Sequence, residues 1–183
     1  DKDYDKDREA LDTDQLGNTI LAETDDAGQE YLDETLFIGD SNTVRTMAYG
    51  FTTWDNVVAA VSMGVEHIQS LKMTYFKGYK NPVTVIDAVK IIQPKRIIIT
   101  YGTNDLFWDT DEFIKVYKEA LAAIHEAYPY ADIIVNAVPP LDKQRENTRL
   151  TMQRVDEFNK AIAEMAKEEG YKFLNSSEAL KDE

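Results

Sequence analysis

Cysteine is absent from all 183 residues. Its absence excludes disulfides, a thiolate nucleophile and any cysteine-ligated metal, and leaves oxidising and reducing compartments both open. Histidine is scarce as well, with only His67 and His125 in the chain. Long apolar runs are missing. Stretches such as Ile97–Ile99 fall far short of the roughly 20 residues needed to cross a bilayer, so no membrane span is expected. No basic-then-apolar leader opens the sequence, and a secretion signal is expected to be either absent or already removed. Positive charge is in deficit: 20 Lys and Arg face 34 Asp and Glu, for a net charge of −14. No basic stripe is present to neutralise phosphates, which argues against nucleic acid as a partner.

The negative charge is concentrated at one end. Residues 1–34 hold thirteen acids and three bases, a balance of −10, whereas the other 149 residues are nearly neutral at −4. Residues 1–26 combine dense charge with weak periodicity and read as a solvated acidic tail or linker. Asp1, Asp3, Asp5, Asp7, Glu9 and Asp12 fall at calcium-loop spacing. However, Lys6 occupies the position that such a loop reserves for glycine, and the final ligand is Asp rather than Glu. A plain charge run is the better reading. The remainder, 27–183, is the size of one domain, and the 43% hydrophobic content of the whole chain is enough for a core.

From residue 35 short apolar runs alternate with helical patterns. Leu36–Ile38, Val57–Val61, Arg96–Thr100, Asp132–Val138 and Tyr171–Leu174 read as strands. Their continuous β-branched character suits strands covered on both faces, as in a parallel sheet. Helical spacing is expected over 42–49, 64–71, 83–92, 111–128 and 148–169. It is clearest in the fourth, where Phe113, Val116, Tyr117, Ala120, Leu121, Ile124 and Tyr128 share a face. Pro94 and Pro129 follow helix ends and Gly170 stands where a helix-terminating glycine belongs. Residues 72–82 fit neither pattern and read as an exposed loop or hairpin. This alternation argues a doubly wound α/β sandwich.

Ligands of open α/β sheets sit beyond the carboxyl ends of the strands, so the residues directly after each strand matter most. Gly39-Asp40-Ser41-Asn42 comes after the first, Ser62-Met63-Gly64 after the second and Tyr101-Gly102-Thr103-Asn104-Asp105 after the third. A serine at a strand-to-helix turn exposes its hydroxyl near a helix N-terminus, which favours developing negative charge. Acyl transfer also needs donors aimed at a tetrahedral oxyanion. The backbone N–H groups of Ser41 and Gly64 and the side-chain amide of Asn104 are candidates. Glycine suits the second position because a side chain there blocks the substrate's approach to the backbone.

FIGDSNT (37–43), SMG (62–64) and GTND (102–105) resemble, in order and spacing, the first three sequence blocks of the SGNH (GDSL-type) hydrolases. The resemblance covers about residues 35–180. It implies a three-layer, flavodoxin-like α/β sandwich with a five-stranded parallel sheet of order 2-1-3-4-5. It also implies Ser41 as nucleophile, an oxyanion hole of Ser41, Gly64 and Asn104, and neither cofactor nor metal. Asn42 departs from the Leu of the GDSL name at a position that varies in the wider family. The larger departure concerns the general base, a histidine in an Asp-x-x-His block near the C-terminus. NSSEALKDE (175–183) contains no such block. His67 and His125 are both expected to be surface or packing residues. Two explanations stand: a chain cut before that block, which the likeness of SSEALKDE to the stretch leading into it favours, or a hydrolase-like binder without a base.

Among the remaining candidates, Asp40 and Asp105 look like a carboxylate pair, although each also suits bracing its own turn. Asn42, Arg45, Phe107 and Trp108 are candidate substrate contacts. Arg45 could equally pair with a neighbouring acid, and Tyr101 suits the core better than an acyl pocket. Residues 39–41 lack the glycine spacing of a phosphate-binding loop. The expected function is that of a serine esterase removing small acyl groups from a carbohydrate or cell-wall glycan. An O-acyltransferase on the same residues and an inactive binding or scaffold module are the alternatives. The acidic N-terminal segment suits a spacer on a secreted or envelope-associated enzyme.

Overall fold

A computed structural model describes residues 11–72, 81–142, 147 and 150–181. Five parallel strands form one sheet in the order β2-β1-β3-β4-β5: β1 Thr35–Gly39, β2 Val57–Ala59, β3 Arg96–Thr100, β4 Asp132–Asn136 and β5 Lys172–Leu174. The longer helices are α3 Ser41–Ala48, α4 Val85–Ile92, α5 Thr110–Ala127 and α6 Met152–Glu169. Three short ones, α1 Thr13–Leu16, α2 Gly28–Asp33 and α7 Ser176–Leu180, complete the set. Right-handed crossovers place α4, α5 and α6 side by side on one face and α3 against β1 and β2 on the other. This is the three-layer sandwich expected from the alternation of strands and helices.

The strands are buried on both sides for the reason their sequence gives. Val57 and Val58, Ile97 and Ile99, and Val135 have no side-chain polarity to satisfy, and all are fully buried. Beneath β3 the apolar stripe of α5 brings Phe113 and Tyr117 to Phe158 of α6. The Phe113 and Phe158 rings stack at 4.4 Å between centroids, and Tyr101 meets Tyr117 edge-on at 6.4 Å. Each such ring contributes roughly 1.5–3 kcal/mol through burial. Helix starts are capped by Asp40, Thr84, Asp109 and Thr151, whose side chains accept from backbone N–H groups of the first turn. Gly170 ends α6 in the left-handed region at φ 78°.

Besides the short helices α2 and α7, which the sequence did not announce, the structure departs from expectation in four places. The stretch 64–71 forms only a 3₁₀ turn, Val65–His67, followed by irregular chain. Its two buried apolar residues, Val65 and Ile68, are three apart, a spacing that one tight turn satisfies as well as a helix. Strand β2 ends at Ala59 because the chain turns through Ser62, whose φ of 62° leaves the extended region, and Val61 is exposed. Strand β4 ends at Asn136 because the N–H and C=O of Val138 are both taken by the Asn159 side chain, at 2.7 and 3.1 Å. The fourth departure is in the acidic N-terminal segment, where residues 11–21 are docked. Leu16 enters the core, Ile20 bridges Phe173 in parallel, and Lys167 and Lys172 donate to the carbonyls of Gln15 and Asn18. Asp12 caps α1, while the rest of the calcium-like spacing, and most of the 72–82 loop, lie outside the described residues.

Candidate active site

The register of the sheet builds one rim. Gly39 pairs with Ala59 on one side and with Thr100 on the other, so β1, β2 and β3 end at the same level and release their loops together. A Cβ at Gly39 would stand 2.1 Å from Thr43 Oγ1 and 2.7 Å from the Thr100 carbonyl oxygen. Only glycine lets α3 start this close to β3. Asp40 then caps α3, its Oδ1 accepting the Asn42 N–H at 2.8 Å. Ser41 is the first helical residue and is half-buried, at the end of α3 where unpaired N–H groups favour negative charge.

The second loop brings Met63 and Gly64, both buried, under the same rim. A side chain at Gly64 has no room, since its Cβ would lie 2.5 Å from both Asp105 Oδ1 and Glu66 Oε2. Asp105 Oδ1 also accepts the Val65 N–H at 3.2 Å, which holds the Gly64 turn from below. The third loop leaves β3 through Gly102, where φ is 129° and a Cβ would meet Val138 Cγ2 at 2.6 Å. It then forms the 3₁₀ turn Thr103–Asp105. Asn104 Nδ2 donates to the Met63 carbonyl at 3.1 Å and to Asp40 Oδ2 at 3.3 Å, and Asn42 Nδ2 donates to Thr103 Oγ1 at 3.1 Å. Three loops separated by up to about sixty residues are thus stitched together at Ser41, Gly64 and Asn104.

Electrostatically the rim is tuned by two buried carboxyls. Burial raises Asp40, while the Asn42 hydrogen bonds and the charge of Arg45 act against that rise. Burial also pushes Asp105 up to about 7. The Val65 N–H opposes this and the neighbouring Glu66 and Asp40 carboxylates reinforce it. Asp40 therefore braces its own turn, whereas Asp105 braces not its own turn but the one at Gly64; both are buried, each 1% accessible. Tyr101 is buried below them, its hydroxyl on Met63 Sδ at 3.3 Å, and burial raises it well above its ordinary value.

The other expected participants are placed less uniformly. Arg45 is exposed on α3, and Phe107 is 64% exposed, whereas Trp108 is partly buried against the core. His67 follows Gly64 closely, with Nδ1 3.3 Å from Glu66 Oε1 but not aligned for a hydrogen bond. His125 is exposed and lines a cleft with Arg96, Asp132 and Lys172, at the opposite end of the strands from Ser41. Arg154 and Asn159 of α6 were not singled out by the sequence, yet they hold the loops after β3 and β4. Asn159 carried a signal, a polar residue on the apolar stripe of Val155, Phe158 and Ile162. Among the described residues no group of acids and histidines could hold a metal ion, and no helix is long and apolar enough to cross a membrane.

A parallel sheet of order 2-1-3-4-5, with a serine opening the helix after its first strand, defines an SGNH-type α/β hydrolase. The chain belongs to the GDSL-like lipase/acylhydrolase family, which it matches over residues 37–183, and it is an ester hydrolase by that membership. No curated protein matches it. Among solved structures it is similar to a protein of Streptococcus pneumonia whose name refers to platelet activating factor, at 16% identity and a TM-score of 0.56, covering 82% of this chain and 69% of that one. An acetyl esterase mutant holding an acetate ion is 15% identical with a TM-score of 0.52, covering 76% of each chain. The acetyl xylan esterase AlAXEase is 14% identical with a TM-score of 0.52, covering 80% of this chain and 78% of that one. At these identities the likeness speaks for the fold.

Proposed function

We propose that the protein is a serine esterase that removes small acyl groups, acetyl first among them, from a carbohydrate. Ser41 Oγ attacks the ester carbonyl. The N–H groups of Ser41 and Gly64 and the Asn104 amide receive the oxyanion. The ester C–O bond then breaks, the sugar leaves as its alcohol with the proton given up by Ser41, and water splits the acyl-enzyme into the free acid and Ser41. The observation that carries this reading is the Asn104 amide, whose two N–H groups donate to the Met63 carbonyl and to Asp40 Oδ2 and tie the glycine turn to the nucleophile turn; the longer bond, to Asp40, is the one given up for the oxyanion. The acetyl esterase and acetyl xylan esterase among the structural relatives favour an acetylated sugar over a long-chain lipid.

The 183 residues hold no Asp-x-x-His sequence, and a serine without its base keeps only the share of catalysis supplied by the oxyanion hole and binding. Hydrolysis by these residues is accordingly slow, and it is accelerated by a base supplied from solution, such as imidazole.

The test is release of p-nitrophenol from its acetate, and of acetate from an acetylated xylo-oligosaccharide, with and without imidazole. Ser41→Ala is expected to abolish the part of the imidazole-dependent rate that exceeds imidazole without protein, and Asn104→Ala to lower kcat about 10²–10³-fold, the typical loss for one oxyanion donor. Equal rates for the wild type and both variants would sink the esterase reading. Sugar binding without turnover would then favour a binding module.

A further inference from the structure

We propose that Arg154 is a positioning residue of this site, gripping the turn that follows Asn104 and so fixing the direction of the Asn104 amide. The proposal rests on the oxyanion role assigned to Asn104.

Arg154 belongs to the first turn of α6, about fifty residues away in sequence from the turn it holds. Its backbone is placed by the helix cap, the Arg154 N–H donating to Thr151 Oγ1 at 3.2 Å. Its side chain crosses to the third loop of the rim. Nε donates to the Leu106 carbonyl at 3.2 Å, Nη2 to the Trp108 carbonyl at 2.6 Å and Nη1 to Thr110 Oγ1 at 3.1 Å. The guanidinium lies 4.8 Å from the Phe158 ring centroid, and Phe158 is stacked on Phe113. Glu157 Oε2, on the exposed side of the guanidinium, also accepts from Nη1 at 2.5 Å, a surface pair that contributes little to where the guanidinium sits.

Two loop carbonyls, Leu106 and Trp108, and Thr110, the first residue of α5, thus anchor the connection from Asn104 to α5. Between Gly102 and Trp108 the chain makes two tight turns, the Asp105 N–H donating to the Gly102 carbonyl and the Trp108 N–H to the Asp105 carbonyl. Leu106 and Trp108 are the residues whose carbonyls face α6. Fixing them fixes the far end of the turn that begins at Thr103, whose other end is set by the left-handed Gly102. A planar guanidinium can serve three acceptors at fixed angles from one position, which an ammonium group cannot reproduce. An oxyanion donor works only within about 3 Å of the developing charge, and a displacement of about 1 Å costs on the order of 10²-fold in rate. In this role Arg154 acts through Asn104, by way of the Leu106 and Trp108 carbonyls that it holds.

The experiment compares wild type, Arg154→Met, Arg154→Lys and Glu157→Gln by imidazole-supported ester hydrolysis, and tracks the Asn104 side-chain amide by ¹⁵N NMR. Positioning predicts that Arg154→Met loses about 10- to 100-fold in kcat with KM changed less than about twofold, since the lost interaction serves the transition state. Arg154→Lys should fall between Met and wild type, and Glu157→Gln should stay near wild type. The Asn104 amide resonances should move in Arg154→Met and hardly at all in Glu157→Gln. An unchanged kcat, or a higher KM at constant kcat, in a folded Arg154→Met protein overturns the proposal. If Arg154→Met does not fold, an Arg154→Lys protein with full kcat and unmoved Asn104 resonances overturns it. If the wild type shows no Ser41-dependent rate, the esterase reading fails. The amide spectrum then decides the role of Arg154 alone, and unmoved resonances count against it.

Discussion

Replacing Asp105 by Asn should make the protein more stable at pH 8 while changing little near pH 4. Asp105 is 1% exposed, sits against Gly64 and Glu66, and is raised from 3.8 to about 7, chiefly by burial. The folded state therefore holds this proton up to about pH 7, whereas the unfolded chain releases it near pH 4. Between those values the unfolded state binds fewer protons than the folded one, so stability falls as pH rises, and the loss is complete above pH 7. At about 1.4 kcal/mol for each tenfold change in proton affinity, the full unscreened penalty is about 4.5 kcal/mol. Glu66, whose charge adds to the rise, has a side chain 40% exposed, so water screens part of it and about 2–4 kcal/mol is expected. An Asn carbonyl can still accept the Val65 N–H, so the brace under Gly64 survives without the charge. Urea titrations of both proteins at pH 4, 6 and 8 provide the measurement. The stability difference should grow in favour of Asp105→Asn through that window. A difference that stays constant with pH to within about 0.5 kcal/mol would refute the burial argument, because Asp40 and every other titrating group is common to both proteins.

Two further substitutions test the supports of the rim and of the N-terminal segment. Asn159→Ala leaves the N–H and C=O of buried Val138 without partners and should cost about 2–4 kcal/mol, read as a lower Tm in thermal unfolding. Leu16→Ala removes the one core side chain of α1 and should cost about 2 kcal/mol in urea with an unchanged m value, leaving Ser41-dependent hydrolysis as it was. A cost near zero would mean that the docked segment is held by Lys167 and Lys172 instead.

How far the fold could be read ahead depended on how each element announces itself. Strand β3 was legible to the residue, because a run of β-branched residues lies between a basic pair and Tyr101-Gly102. Helix α5 was legible because eighteen residues give the 3.6 period time to repeat. Helices α2 and α7, of six and five residues, are too short to show any period and were missed. In the stretch after Gly64, expected to be helical over 64–71, only Val65 and Ile68 are buried, a spacing that fits a single turn as well as a helix. At the rim, Ser41, Gly64 and Asn104 stood out because each lies just past a strand. What the sequence did not show is that Trp108, a candidate substrate contact, packs partly against the core with its carbonyl held by Arg154.

By itself the sequence determined the class of this protein. Local physics decided it, through apolar runs that must be covered on both faces and through turn residues placed at the strand ends. Only the tertiary structure decided that Asp105 braces Gly64, that Asn159 ends β4 and that residues 11–21 lie against α6 and β5. Each of these is a contact between residues 21 to more than 150 positions apart. A lone Asp, Asn or Lys in a sequence has the same appearance whether it meets water or a buried N–H. The partner is chosen by the path of the chain, and only the folded sheet brings it within about 3 Å.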